Sequence, residues 1–232
     1  TLSNKSSTFV GFSFIRNNEK RHIWVGMARE TAHQLGTPVS ALMGWVDWLK
    51  EHPEKTEELI PEMEADLLRL EQIGRRFSKM GSKPEMEEFD LSERVERVVN
   101  YLMKRMPSLG KKVELINDIQ PGISINANGS LLAWSIENII RNGIDAIDRE
   151  NGKVTVSLRK DEDAIKIRIQ DNGKGIPKKD WRNIFRPGFS TKRAGWGLGL
   201  SLSTRIVEEI HSGRLHVIES SPKNGTIIEI SF

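Results

Sequence analysis

Two apolar stripes constrain the fold of this chain more than any other feature. Val25, Ala28, Ala32, Leu35, Val39, Leu42, Val46 and Leu49 recur at 3-4-3-4-3-4-3 spacing. Ile60, Met63, Leu67, Leu70, Gly74 and Phe77 recur at 3-4-3-4-3. That period belongs to helices packed at a shallow angle. The stripes are separated by a short stretch containing His52-Pro53, which predicts two antiparallel neighbouring helices. A hairpin with one apolar stripe per helix buries too little alone. Two hairpins are therefore expected to pair into a dimeric four-helix bundle. Pro61 is expected in the first turn of the second helix or at a bend there.

Gly81-Ser82-Lys83-Pro84 reads as a helix stop followed by a linker, and the periodicity changes beyond it. Asp90-Leu91-Ser92-Glu93 resembles a capping box and opens a helix to about Met106. Val113 to Ile119 and Ile123 to Asn126 are strand-like. Ser130 to Arg149 is helical in period. Val154 to Leu158 and Ile165 to Ile169 alternate as strands around Asp161-Glu162-Asp163. Gly173 to Gly199 is glycine-rich and irregular, and Leu200 to His211 is helical. Leu215 to Ile218 and Thr226 to Ile230 form a hairpin around Asn224-Gly225. The class is α+β. An antiparallel helical hairpin precedes an α/β sandwich with a mixed, largely antiparallel sheet. The expected divisions are an upstream linker or signalling segment over 1–20, the hairpin over 21–82, a linker over 83–89 and the second domain over 90–232.

Composition narrows the function classes. The 35 basic and 32 acidic residues are well mixed and leave a net charge of +3. No basic stripe with interleaved aromatics occurs, which argues against nucleic acid as a partner. There are no cysteines, so disulfides and thiolate metal sites are excluded. No stretch reaches the roughly 20 apolar residues of a membrane span, and no signal peptide is visible. The start, Thr1 to Ile15, carries Phe9, Val10, Phe12, Phe14 and Ile15 with no initiator Met, and reads as part of a longer chain.

Four clusters in the second domain carry chemistry. Asn138 and Asn142 stand at i and i+4 on one helix face, and an amide oxygen is a hard ligand suited to Mg²⁺. Asp171-Asn172-Gly173-Lys174-Gly175 follows a strand. A carboxylate there can accept a hydrogen bond from an exocyclic amine, and glycines let backbone approach a ligand closely. Phe185-Arg186-Pro187-Gly188-Phe189-Ser190-Thr191-Lys192 comes third, with Lys192 able to bring a mobile positive charge to a terminal phosphate. Gly195-Trp196-Gly197-Leu198-Gly199-Leu200 opens a helix, where free backbone N–H groups can cradle phosphate. This last cluster is neither a dinucleotide fingerprint nor a Walker A loop.

Taken in this order, the four clusters resemble the N, G1, F and G2 boxes of the ATP-binding domain shared by histidine kinases, gyrase-type ATPases, Hsp90 and MutL. Asn224-Gly225-Thr226 looks like the last glycine motif of that pocket. The resemblance covers about Phe89 to Phe232. It implies that Asn142 binds Mg²⁺ and Asn138 supports the phosphate side. Asp171 would read adenine with Thr226 nearby, and Gly173 and Gly175 would shape the pocket. Gly195, Gly197 and Gly199 would take the phosphates of ATP, and about Lys174 to Gly197 would form a mobile lid.

Upstream, Ala32-His33-Gln34-Leu35-Gly36-Thr37-Pro38 resembles the H-box of sensor histidine kinases, which implies that His33 is the phosphoacceptor. His33 directly follows a seam residue and is expected to flank the bundle. Pro38 cannot bond the Gln34 carbonyl, so a bend is expected there. The residue after the histidine is commonly Glu or Asp, a general base. Here it is Gln34, which cannot take a proton. Of the family's phosphatase motif only Thr37 is matched. His22, His52, His211 and His216 lack the Thr-Pro context, and Trp24, Trp45 and Trp48 are expected to be packing anchors.

The resemblance implies a homodimer that autophosphorylates His33 and passes the phosphate to an aspartate on a response regulator receiver domain. It implies a cytoplasmic location for this segment. The full-length protein would be fused to an upstream sensor or anchored in the inner membrane. The alternative is a nucleotide-binding pseudokinase scaffold, or a phosphatase-biased member with weak transfer. A serine-directed kinase or plain ATPase on the same fold is a further rival.

Overall fold

The structure, a computed structural model, describes residues 32, 35–36, 38–81, 84–105, 113–191, 197 and 199–232. The chain divides into two compact units, Thr1–Lys83 and Pro84–Phe232.

In the first unit, residues 38–51 are helical (α1). A single 3₁₀ turn, Pro53–Lys55, leads into α2, Thr56–Gly81. The turn closes through His52 N–H donating to the Trp48 carbonyl (2.9 Å) and Lys55 N–H to that of His52 (3.1 Å). The Thr56 hydroxyl donates to the Pro53 carbonyl at 2.6 Å. Trp45 Nε1 donates to Asp66 Oδ2 at 3.3 Å, reaching from α1 to α2 across the turn. Pro61 lies inside α2, not in its first turn. The turn at Pro53–Lys55 lets the helix begin as early as Thr56, so Pro61 falls in the second turn and cannot supply the bond to the Glu57 carbonyl.

The second unit begins with a strand the sequence did not announce. β1, Glu87–Asp90, pairs antiparallel with β3, Ser124–Ala127. The stretch expected as linker therefore already contains paired backbone. α3, Leu91–Arg105, starts directly after β1. Asp90 Oδ1 accepts from the Glu93 N–H at 2.9 Å, the expected acidic cap. β2, Val113–Ile119, follows, and after β3 comes α4, Gly129–Ala146. Asn128 caps α4 by accepting from Leu131 N–H at 3.1 Å. The expected helix to Arg149 stops at Ala146. Ile147 turns extended (ψ 123°), and the Ala146 carbonyl accepts instead from Lys174 N–H at 3.0 Å.

β4 (Gly152–Lys160), β5 (Ile165–Asp171), β6 (Arg214–Ser221) and β7 (Gly225–Ser231) complete a five-stranded sheet of order β2-β4-β5-β7-β6. Only β2–β4 is parallel; the other pairings are antiparallel. α5, Gly199–Thr204, runs on as a π-helical segment, Arg205–Ile210. Alternation on the strands decides the layers. Val154, Val156, Leu158, Ile167, Ile169, Leu215, Ile228 and Ile230 are buried with Val95, Val99, Ile136, Ile140, Ile144 and Val207 of the helices. The opposite face carries a polar row, in which Arg168 Nε meets Glu229 Oε2 at 2.7 Å. The result is the expected α+β architecture, a helical layer on a mixed sheet.

Candidate functional site

Four segments meet at one end of the sheet. β5 ends at Asp171, which is only 6% exposed. Its Oδ1 accepts from Gly173 N–H at 2.8 Å. Thr226 N–H, from the first residues of β7, also bonds this carboxylate. The register sets Asp171 directly opposite Thr226. Burial pushes the Asp171 carboxyl above its ordinary range. The two backbone donors and the Arg149 charge act in the other direction. An acid held this way keeps acceptor capacity for a ligand donor inside a poorly hydrated pocket.

Glycines make the close approaches. A Cβ on Gly225 (φ +77°) would lie 2.0 Å from the Asp171 carbonyl oxygen. One on Gly173 would lie 2.4 Å from that of Ala146, and one on Gly175 (φ +70°) 2.4 Å from that of Ser221. The three segments 146, 171–175 and 221–226 therefore touch backbone to backbone, as only glycine permits.

α4 supplies the next wall. Gly143 faces Asp171, with room for a Cβ only 3.4 Å from the Asp171 Cβ. Five residues and one residue before it stand the half-buried Asn138 and Asn142. α5 begins against them: a Cβ on Gly199 would lie 3.9 Å from both Asn138 Cγ and Asn142 Nδ2. The structure thus brings together Asn138, Asn142, Asp171, Gly173, Gly175, Gly199 and Thr226. Gly197 (φ +66°) lies against Phe189, and its carbonyl accepts from Gly188 N–H at 3.1 Å. Lys192 and Gly195 lie outside the described residues, as do His33, Gln34 and Thr37.

Asn138 and Asn142 carry hard amide oxygens of the kind that suits Mg²⁺. Among the described residues no group of three His, Asp or Glu side chains converges on a point. Asn142 offers one hard amide oxygen. Such a site needs phosphates and water for the remaining positions, which is how Mg²⁺ is usually held.

Several supporting residues were not picked out from the sequence. Asn172 Oδ1 accepts from Lys153 N–H at 2.8 Å and its Nδ2 donates to the Asn151 carbonyl at 2.8 Å, locking the loop to β4. Arg149 reaches the carbonyls of Gly173 (3.4 Å) and Pro222 (3.3 Å). Ser220 Oγ accepts from Ile176 N–H at 2.7 Å and lies 2.9 Å from Thr226 Oγ1. Gly143, also not picked out, did have a readable signal, a glycine inside a helix beside Asn142.

Comparison with known proteins agrees with this geometry. Residues 128–232 match the family model described as histidine kinase-, DNA gyrase B-, and HSP90-like ATPase. The chain is 28% identical over 218 residues to sporulation kinase A of Bacillus subtilis (strain 168), covering 93% of this chain and 35% of that protein. It is 24% identical over 229 residues to the nitrogen regulation protein NtrY of Azorhizobium caulinodans, covering 92% and 29%. The chain thus spans about a third of the length of these relatives. The solved catalytic domain of histidine kinase ThkA matches with a TM-score of 0.56 at 23% identity, over 64% of this chain and 95% of that one. ThkA in complex with response regulator protein TrrA matches with a TM-score of 0.58 at 22% identity, over 93% and 63%. The family match over residues 128–232 and the solved structures agree on the fold of this part of the chain.

Proposed function

We propose that this chain is the catalytic core of a sensor histidine kinase. Mg-ATP binds the unit Pro84–Phe232. An imidazole nitrogen of His33 attacks the γ-phosphorus, the bond to the β–γ bridging oxygen breaks, and ADP leaves. The phosphate then passes to an aspartate on a response regulator receiver domain.

The observation that carries the reading is the pocket floor, where the buried carboxylate of Asp171 is held by Gly173 and Thr226 N–H groups. That arrangement suits an exocyclic amine donor such as that of adenine, and Gly173 and Gly175 let the ring approach. Asn138, Asn142 and the backbone of Gly195, Gly197 and Gly199 would take the phosphate side, with Lys192 as a mobile cation. Asn142 would hold Mg²⁺, which supplies charge neutralisation at the transferring phosphate. The relatives named as sporulation kinases and a nitrogen regulation protein support a role in two-component signalling.

The exposure of the helical stripes supports a dimer. Leu42, Leu49, Met63 and Leu70 are half-buried, while the alternate seam residues Val39, Val46, Ile60 and Leu67 are 42 to 54% exposed. Among the described seam residues about half are spent within the chain, and the exposed ones suit a second copy, giving a four-helix bundle. The divisions 21–82 for this hairpin and 90–232 for the catalytic domain, with a linker between, are part of the reading. No described helix is long and apolar enough to cross a membrane. A cytoplasmic place for this segment, with a sensor or inner-membrane anchor upstream, completes the proposal.

Gln34 favours a second reading. It cannot accept the imidazole proton, and with a water or another group absent from that role the chain would bind nucleotide as a scaffold or act mainly as a phosphatase. Incubation with γ-labelled ATP and Mg²⁺, beside His33→Ala, separates the two. Label stable in base, lost in acid and absent from the variant is expected. ATP binding without label would remove the kinase reading and leave the scaffold.

A further inference from the structure

We infer that His211 is a positioning residue for the phosphate side of the pocket: it fixes the register of α5 and its π-helical continuation along α4, and so where Gly199 meets Asn138 and Asn142. The inference rests on the nucleotide-binding reading above and adds a residue that acts about 20 Å along α4 from Asn142.

The two elements run antiparallel and meet at three levels. At one end Gly199 abuts the asparagine pair, where a Cβ would lie 3.9 Å from Asn138 Cγ and Asn142 Nδ2. In the middle, Ser203 Oγ donates to the Ser135 carbonyl at 3.4 Å. At the other end His211 Nε2 accepts the Asn128 N–H at 2.9 Å. α5 and its continuation also bury Leu202, Ile206 and Val207. Apolar burial has no direction, so it holds the elements together without choosing a register. The hydrogen bonds choose it, and the bond at His211 is the shorter of the two.

The polarity of the His211 bonds is settled by their partners. A carbonyl only accepts and an amide N–H only donates. Nδ1, 2.6 Å from the Ile206 carbonyl, therefore carries the ring proton, and Nε2 keeps the lone pair that Asn128 N–H fills. Ile206 lies inside the π segment, five residues before the ring, so the ring is anchored on its own element and aimed at the start of α4. Asn128 is engaged on every other side. Its carbonyl accepts from Leu132 N–H at 3.0 Å, its Oδ1 from Leu131 N–H at 3.1 Å, and its Nδ2 donates to the Glu85 carbonyl at 2.9 Å. The residue is 8% exposed, so its N–H has no ready substitute for the ring. The Phe232 ring lies on the edge of His211, at the end of β7 remote from Thr226. The tie therefore bears on the phosphate side and leaves the pocket floor alone.

The test uses the 232-residue chain. The ¹⁵N–¹H spectrum of the His211 ring at neutral pH should show Nδ1 protonated and Nε2 bare; a proton on Nε2 would overturn the inference. Calorimetric binding of Mg-ATP well below the melting temperature, with melting curves alongside, then compares three variants. His211→Asn can keep the bond to Ile206 but is too short to reach Asn128, whereas His211→Gln can set an amide oxygen where Nε2 lies. Without the tie only a fraction of molecules hold the competent register, and the apparent affinity falls by that fraction. His211→Asn is expected to weaken Mg-ATP about tenfold, and His211→Gln to stay within about twofold of the parent. Leu115, 6% exposed on the edge strand β2, controls for general loss of stability. Leu115→Ala should lower the melting temperature and leave ATP affinity within about twofold. Equal losses in the Asn and Gln variants, no loss in either, or the same loss in Leu115→Ala would each overturn the inference. Should His211→Asn lose its melting transition, Ser203→Ala, which removes the middle tie, is expected to weaken Mg-ATP about threefold, and an unchanged affinity there would overturn it. A parent chain that binds no ATP would overturn the nucleotide reading itself, a distinguishable failure, because the ring tautomer still reports on the tie.

Discussion

Three glycines offer a way to separate backbone strain from steric contact in the pocket floor. Gly188 has φ +84° and nothing within 4 Å of an added Cβ, so alanine there meets strain alone. Gly173 has no left-handed backbone, but its Cβ would fall 2.4 Å from the Ala146 carbonyl oxygen. Gly225 combines both, with φ +77° and a contact of 2.0 Å to the Asp171 carbonyl. A left-handed alanine costs about 1 to 2 kcal/mol, offset by about 0.5 kcal/mol because alanine restricts the unfolded chain. Gly188→Ala should therefore cost about 1 kcal/mol. Overpacking adds about 1 to 3 kcal/mol, so Gly173→Ala should cost about 2 and Gly225→Ala about 3 kcal/mol. At roughly 2–4 °C per kcal/mol for a unit of this size, thermal melts should rank Gly225→Ala lowest, by about 10 °C. Gly188→Ala should fall by about 3 °C. Because the Asp171 carbonyl must retreat, Gly225→Ala should also lose ATP affinity while Gly188→Ala keeps its floor intact. Equal melting temperatures for Gly225→Ala and Gly188→Ala would refute the argument from close approach.

His211 ties α4 to the end of the π segment: its Nδ1 meets the Ile206 carbonyl at 2.6 Å and its Nε2 accepts from Asn128 N–H at 2.9 Å, with the Phe232 ring on its edge. Burial holds its pKa below the ordinary 6.5, against the Ile206 carbonyl. The unfolded chain thus binds more protons in mild acid, and stability present above about pH 6.5 is lost as pH falls toward the folded value. Melting temperature followed from pH 7.5 to 5.5 should decline, and His211→Leu should flatten that decline; an identical slope in the variant would contradict it. At the exposed half of the seam, Leu67→Asp should convert a dimer to a monomer by light scattering, and a parent chain that is monomeric would argue against the bundle.

The heptad stripes, the strand alternation and the capping acid were legible because each is a local pattern with a fixed period. β1 was not, since Glu87-Glu88-Phe89-Asp90 is short and acidic and becomes a strand only by pairing with β3. α4 was overextended because Ile147 keeps the apolar period, while a carbonyl taken by Lys174 ends the helix. α5 read as an ordinary helix, because a π segment leaves no mark in hydrophobic spacing. Within the site, the asparagine pair and the glycines were readable from type and spacing. Asn172, Arg149 and Ser220 were not, because their work is contact with backbone far away in sequence. His33, Gln34, Thr37, Lys192 and Gly195 lie outside the described residues.

The strand order has a temporal side. β7 comes last of the domain's strands along the chain, yet it lies between β5 and β6. A polypeptide emerging from the ribosome can lay down α4, β4 and β5, with Asp171 set opposite Val154, and still lack the β7 side of Asp171. Thr226 and the Gly225 contact arrive only with that inserted strand, a pairing that closes a long loop and is slow to form. Nucleotide can then stabilise only the completed domain, by mass action on the finished pocket. Binding competence would come only with this strand in place, and no nascent form lacking it would compete for the cell's ATP.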